Sequence, residues 1–222
     1  ERSDTITLYH GTSAALAERI EHEGLSPPPR DLNAYALELA RDQLGFEPEG
    51  HVRERLLEHA VRPRESASRQ NPVAGTDRIY TFPAPHLERA AGYAASFREH
   101  GGEVAACVWK VLTSEFGYDI PARFHDAEPV VIEFEVPRSD VLTGRDLDDL
   151  AARVERLWEE ERTTGEFDTF EAFAADVTDF EVTVPRVVAP SEIRRIDLVP
   201  LMDGRPDMAA MNASRERSAP SP

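Results

Sequence analysis

Six short runs rich in β-branched and aromatic residues lie along this chain, and they constrain its fold more than any other feature. They are Thr5–Tyr9 (TITLY), Arg78–Phe82 (RIYTF), Val104–Leu112 (VAACVWKVL), Val130–Val136 (VVIEFEV), Phe180–Val184 (FEVTV) and Ile193–Leu201 (IRRIDLVPL). Runs of this composition, bounded by turn formers, predict β-strands. VAACVWKVL is apolar almost throughout, so it is expected to be a strand buried on both faces. VVIEFEV alternates, which predicts Glu133 and Glu135 on a solvated strand face.

Helical patterns fill the intervals. Ser13–Glu23 carries Leu16 and Ile20 on one stripe, with Ser13 as a possible N-cap and Gly24 as the stop. Residues 32–61 read as two helical pieces split at GFEPEG, and residues 62–77 as a polar loop. Pro85–Arg98 places Leu87, Ala91, Ala94 and Phe97 on one face. Residues 146–162 carry a stripe of Leu147, Leu150, Val154, Leu157 and Trp158, and Asp168–Val177 reads as a short helix. The expected class is α+β, with a mixed or antiparallel sheet and flanking helices. One domain is expected over residues 1–202, followed by a disordered tail over 203–222, where little remains to bury.

Composition narrows the function. At 222 residues and 41% hydrophobic, the chain can bury a proper core. No apolar run reaches 18 residues, so no membrane partner is expected. Cys107 is the only cysteine and ERSD is no secretory apolar stretch, which together suggest the cytoplasm. Net charge is -17, and residues 139–181 hold 14 acidic against 4 basic side chains. Phosphate repels such a surface, so nucleic acid is not a favoured general partner.

Three stretches carry chemistry. In LYHGTS, His10 stands at the tip of the first strand and can bond a ligand hydroxyl. Gly11 lets a planar amide reach the backbone, and Thr12 adds a hydroxyl. Taken alone, so short a stretch is more often just a strand-capping His and a turn Gly. In RIYTFPAPHLERAAGYAASF, Tyr80 and Tyr93 can sandwich a flat heterocycle, or can both be core aromatics. In DFEVTVPRVVAPSEIRRIDLV, Glu181 opens an apolar β-branched strand, as a functional carboxylate or a solvated edge.

Taken in order, the three stretches resemble the His-Tyr-Glu ADP-ribosyltransferases of the diphtheria-toxin and poly(ADP-ribose) polymerase type. YHGT resembles the first motif, IYTF…AAGYA the second and EVTVPRVVAPSEIRRI the third. Residues 26–77 and 138–178 match nothing in that pattern and are expected insertions. The resemblance implies NAD as co-substrate and a split sheet core. It implies that His10 bonds a ribose hydroxyl and that the nicotinamide carboxamide lies on Gly11 beside Thr12. The nicotinamide ring would lie between Tyr80 and Tyr93. Glu181 would bond the 2′-OH of the nicotinamide ribose, making His10, Tyr80 and Glu181 the catalytic set. The acceptor of ADP-ribose stays open between protein, nucleic acid and small molecule. Ala90 stands where relatives often carry a carboxamide-binding hydroxyl, three residues before the second tyrosine. Asp179 stands where arginine-specific relatives carry a second acid, and Glu192 in the PSEI turn rivals Glu181.

Other classes remain. RNA 2′-phosphotransferases share an HGT-like start but rely on arginines around the histidine, where this chain has Tyr9. Rifamycin-modifying transferases begin with a similar YHGT and have a similar tyrosine strand, but they are shorter and their closing motif is not seen in this chain. A non-catalytic module of the same fold would use the acidic 139–181 face for contact. A toxin or defence effector would use its insertions to clamp a target.

Overall fold

The computed structural model describes residues 5–61, 78–83, 86–141, 156, 158–159 and 182–218. Five antiparallel strands form its sheet, in the order β4-β2-β1-β3-β5. These are β1 (Thr5–Ser13), β2 (Ile79–Pro83), β3 (Pro129–Pro137), β4 (Val182–Val184) and β5 (Ile193–Leu198). Six helices accompany them among the described residues: α1 (Ala14–Glu23), α2 (Leu32–Leu44), α3 (Gly50–Leu56), α4 (Leu87–Phe97), α5 (Glu103–Phe116) and α6 (Met208–Ser218). A small hairpin, β6 (Leu201–Met202) with β7 (Arg205–Pro206), precedes α6. The expected α+β class, with an antiparallel sheet, is what the chain adopts. The expected helices over 146–162 and Asp168–Val177 lie largely or wholly outside the described residues.

β1 is longer than TITLY predicts. All nine of its residues pair with β3, from Thr5↔Pro137 to Ser13↔Pro129. Gly11 and Thr12 are therefore strand residues and not a turn, because the partner strand supplies a ladder the local sequence cannot reveal. Ser13 then ends the strand and caps α1, its hydroxyl accepting from the Ala15 N–H at 3.3 Å. Gly24 stops α1 at φ 86, in the region open to glycine.

Each face of the sheet has its own core. Leu8, Ile132, Phe134 and Val136 pack with Ile20 of α1 on one face. On the other, Tyr9, Phe82 and Val131 pack with Ala90, Ala91 and Ala94 of α4 and Met211 of α6. A third core joins α2, α3 and α5 around Trp109 and Phe124. The strand expected at Val104–Leu112 is helix α5. Val104, Ala105, Val108, Trp109, Val111 and Leu112 are buried and Lys110 is exposed, a helical period masked by the apolar residues between. Gly117 ends α5 in the left-handed conformation.

The tail expected to be disordered over 203–222 instead holds β7 and α6. The Asp207 carboxylate caps α6 by accepting from the Ala210 N–H at 3.0 Å, and Met211 is 1% exposed. One further expectation fails for a tertiary reason: Glu133 is not solvated but pairs with Arg215 of α6, whereas Glu135 stays at the surface, paired with the exposed Arg194 at 2.7 Å.

Candidate functional site

The strands carrying the first two motifs are neighbours, yet their pairing is brief. β1 and β2 match only at Leu8↔Pro83 and Tyr9↔Phe82. Past Tyr9 the ladder stops, while Ile79, Tyr80 and Thr81 of β2 go on to pair with β4 on the other edge. The β1 side of the break begins at His10. Its Nδ1 lies 2.8 Å from the Tyr80 carbonyl oxygen, standing in for the missing strand bond. A carbonyl can only accept, so Nδ1 carries the proton and the neutral ring leaves Nε2 as an acceptor.

Burial outweighs that hydrogen bond and lowers the His10 pKa below its ordinary 6.5. The unfolded chain therefore takes up the proton at a higher pH than the folded one. His10 contributes full stability above about pH 6.5, and this is lost as pH falls through that value toward the folded pKa. The thermal midpoint of the parent should fall more steeply from pH 7 to pH 5 than that of His10→Gln, which cannot protonate there. Equal slopes would show that His10 is not held neutral by the fold.

Gly11 sits at the break with two demands on it. Pro83 has no N–H, so Tyr9 and Phe82 are the pair positioned to exchange backbone bonds. Alternation then directs the Gly11 N–H and C=O toward the β2 side, where the ladder has ended. On its Cα side, Gly11 lies against α4. A Cβ there would run into the Ala90 carbonyl oxygen and stand 2.6 Å from the Ala94 nitrogen. Thr12, next along the strand, is 5% exposed.

Tyr80 shares a sheet face with Phe82, two residues on, and α4 covers that face. Tyr93 projects from α4 over the same side, its ring 5.9 Å from Phe82 and 5.0 Å from Phe97. At 38% exposure it is open to solvent. The two tyrosines thus border the same side of the broken ladder. Ala90, which stands where the resembled family often carries a hydroxyl, is fully buried and provides the backbone seat for Gly11. Glu181 and Asp179 lie outside the described residues. The next residue, Val182, opens β4 opposite Thr81, and the buried Thr81 hydroxyl donates to the Val182 carbonyl at 3.1 Å.

Glu192, the rival acid, is occupied. Its carboxylate accepts two hydrogen bonds from Arg186 at 2.7 Å and one from the Ala189 N–H at 2.8 Å. The Arg186 bonds hold its pKa below the usual carboxylate range. Arg186 also donates to Asp140 at 2.7 Å. This clamp was not legible, because Asp140 and Arg186 are 46 residues apart in sequence.

No helix among the described residues is long and apolar enough to cross a membrane, and no group of three or more His, Cys, Asp or Glu there could hold a metal ion. No protein-family model, curated protein or solved structure matches the chain.

Proposed function

We propose that the chain is an NAD-dependent mono-ADP-ribosyltransferase. The observation that carries this reading is the ladder break after Tyr9. At that break the His10 ring bonds the Tyr80 carbonyl, the backbone of Gly11 faces the β2 side, and Tyr80 and Tyr93 lie on the α4 side of the same strands. That set suits the nicotinamide half of NAD. Gly11 offers an N–H and a C=O to a carboxamide, which needs one of each. His10 Nε2 accepts from a ribose hydroxyl. Tyr80 and Tyr93 provide aromatic walls.

In the reaction the C1′–N bond breaks and its electron pair leaves with nicotinamide. The pyridinium charge is discharged and positive charge builds on C1′ and the ring oxygen. Glu181, just before β4, would stabilise that charge through the 2′-OH, the electrostatic logic of glycoside cleavage. The acceptor nucleophile then bonds C1′ and releases its proton. The direct test is nicotinamide release from NAD, joined to a mass-spectrometric search for ADP-ribose adducts. A protein that does neither is not this enzyme.

Binding is tested separately. NAD at a hundredfold excess over Kd should stabilise the folded state by about 2.7 kcal/mol, roughly 5–11 °C for a chain of this size. His10→Ala should remove the shift, and Tyr93→Ala should shrink it while leaving the unliganded midpoint nearly unchanged. No shift with millimolar NAD would count heavily against the reading.

A further inference from the structure

The C-terminal helix reaches back to the rung that immediately precedes the candidate site. Tyr9 of β1, Glu133 of β3 and Arg195 of β5 are register partners across three adjacent strands. Arg215, in the last turn of α6, lies above that rung. Its guanidinium is 5.4 Å from the centre of the Tyr9 ring and pairs with Glu133. Its Nη1 stands 3.2 Å from Asp197 Oδ2, and Arg195 donates to the other oxygen of Asp197 at 2.5 Å. Two cations and two anions balance, and the side chains of Arg215, Glu133 and Asp197 are mostly buried. Met211, one turn back on α6, closes the same face beside Ala90, Ala91 and Ala94 of α4.

Tyr9 is the last residue of β1 that pairs with β2, and His10 and Gly11 follow it directly. Whatever fixes Tyr9 fixes where the ladder ends. An Arg that covers the Tyr9 ring and grips its cross-strand partner Glu133 spans that rung from outside the sheet. Stacking and ion pairing gain strength as water is excluded, which this half-buried setting provides. A helix present only to cover apolar surface would need Met211 and no such cluster.

We infer that Arg215 is a positioning residue for the site: it acts through Tyr9 and Glu133 to hold the end of the β1–β2 ladder, and so the backbone of His10 and Gly11, in a binding-competent geometry. The consequence for NAD rests on the transferase reading above. The consequence for the strand does not.

The experiment compares the parent with Arg215→Ala, Arg215→Lys and, as a control, Arg194→Ala. Arg194→Ala removes a more exposed arginine–glutamate pair, to Glu135 on the same strand β3, away from Tyr9. Amide hydrogen exchange over Tyr9–Thr12 should speed up about tenfold or more in Arg215→Ala, with Thr5–Leu8 changed less. Arg194→Ala should leave Tyr9–Thr12 at the parent rate. Well below the melting temperature, KM for NAD should rise about fivefold or more in Arg215→Ala with kcat within about threefold. Arg215→Lys keeps the charge but not the planar fork, so it should recover part of both effects. Uniform acceleration along β1, or unchanged exchange at Tyr9–Thr12, overturns the inference and leaves Arg215 as a general fastener of α6. An unchanged KM in an active enzyme overturns it as well. A parent that releases no nicotinamide refutes the transferase reading alone, and the exchange pattern still decides the role of Arg215. If Arg215→Ala does not fold, Arg215→Lys and Glu133→Gln carry the same two measurements.

Discussion

Gly11→Ala should lower the thermal midpoint by roughly 6–12 °C, a loss of at least about 3 kcal/mol at this chain length. The new methyl would run into the Ala90 carbonyl oxygen and lie 2.6 Å from the Ala94 nitrogen. Both are backbone atoms of α4, so no rotamer change relieves the overlap. The helix must lift off the sheet, and Ala90, Ala91 and Ala94 must part from Tyr9, Phe82 and Val131. That puts the cost at or above the upper end of ordinary overpacking. Ala90→Gly should not rescue the variant, because the obstacle is the carbonyl of residue 90 and not its side chain. Gly92→Ala supplies the contrast: it lies in the same helix with nothing within 4 Å of its added methyl. That change should stabilise the chain by about 0.5–1 kcal/mol, the usual helix-interior difference between Gly and Ala. A Gly11→Ala midpoint within 2 °C of the parent, by calorimetry, would show that β1 and α4 do not approach this closely. NAD binding cannot be judged from this variant unless its fold survives, since one glycine serves both the helix seat and the proposed carboxamide contact.

The two demands on Gly11 show which parts of the molecule local sequence could reveal. Signals completed within a few residues were legible. Ser13 and Gly24 bound α1, GFEPEG splits α2 from α3, and alternation in VVIEFEV places β3 correctly. Signals completed by distant partners were not. TITLY stops at Tyr9 by propensity, but pairing with β3 carries the strand to Ser13. VAACVWKVL has no polar residue before Lys110 to expose its period, so a helix buried against α2 imitates a strand. The last segment looked poor in apolar residues, yet Met211 and Arg215 anchor it, one by burial and one by charge. The same division runs through the site. His10, Gly11, Tyr80 and Tyr93 stood out by residue type and order. The bond from His10 to Tyr80 did not, because it exists only where two strands part.

Glu181→Gln should leave NAD affinity within a few-fold and cut nicotinamide release by about 10²–10³, the usual loss when one electrostatic stabiliser of a transition state is removed. The substitution keeps the shape and a hydrogen bond but removes the charge that the transferase reading assigns to stabilising the oxocarbenium. The other carboxylates should not reproduce that loss of turnover. Glu192→Gln puts a neutral amide where Arg186 and the Ala189 N–H both need an acceptor. It should lower the midpoint, through the turn that follows β4, while each folded molecule turns over at the parent rate. Glu133→Gln should loosen α6 and weaken NAD binding through Arg215, again without a kcat effect of that size. Glu135→Gln, whose Arg194 partner is exposed, should resemble the parent. Asp179→Asn separates cleavage from transfer: an acid that prepares the acceptor would be needed for adducts and dispensable for nicotinamide release. The decisive readings are kcat for nicotinamide release and the thermal midpoint, taken on the same preparations. A Glu192→Gln protein that folds normally and loses turnover, beside an active Glu181→Gln, would move the catalytic carboxylate out of the strand and into the turn. The Arg186 clamp argues against that outcome, because a carboxylate already engaged by three donors has little basic character left for a ribose hydroxyl.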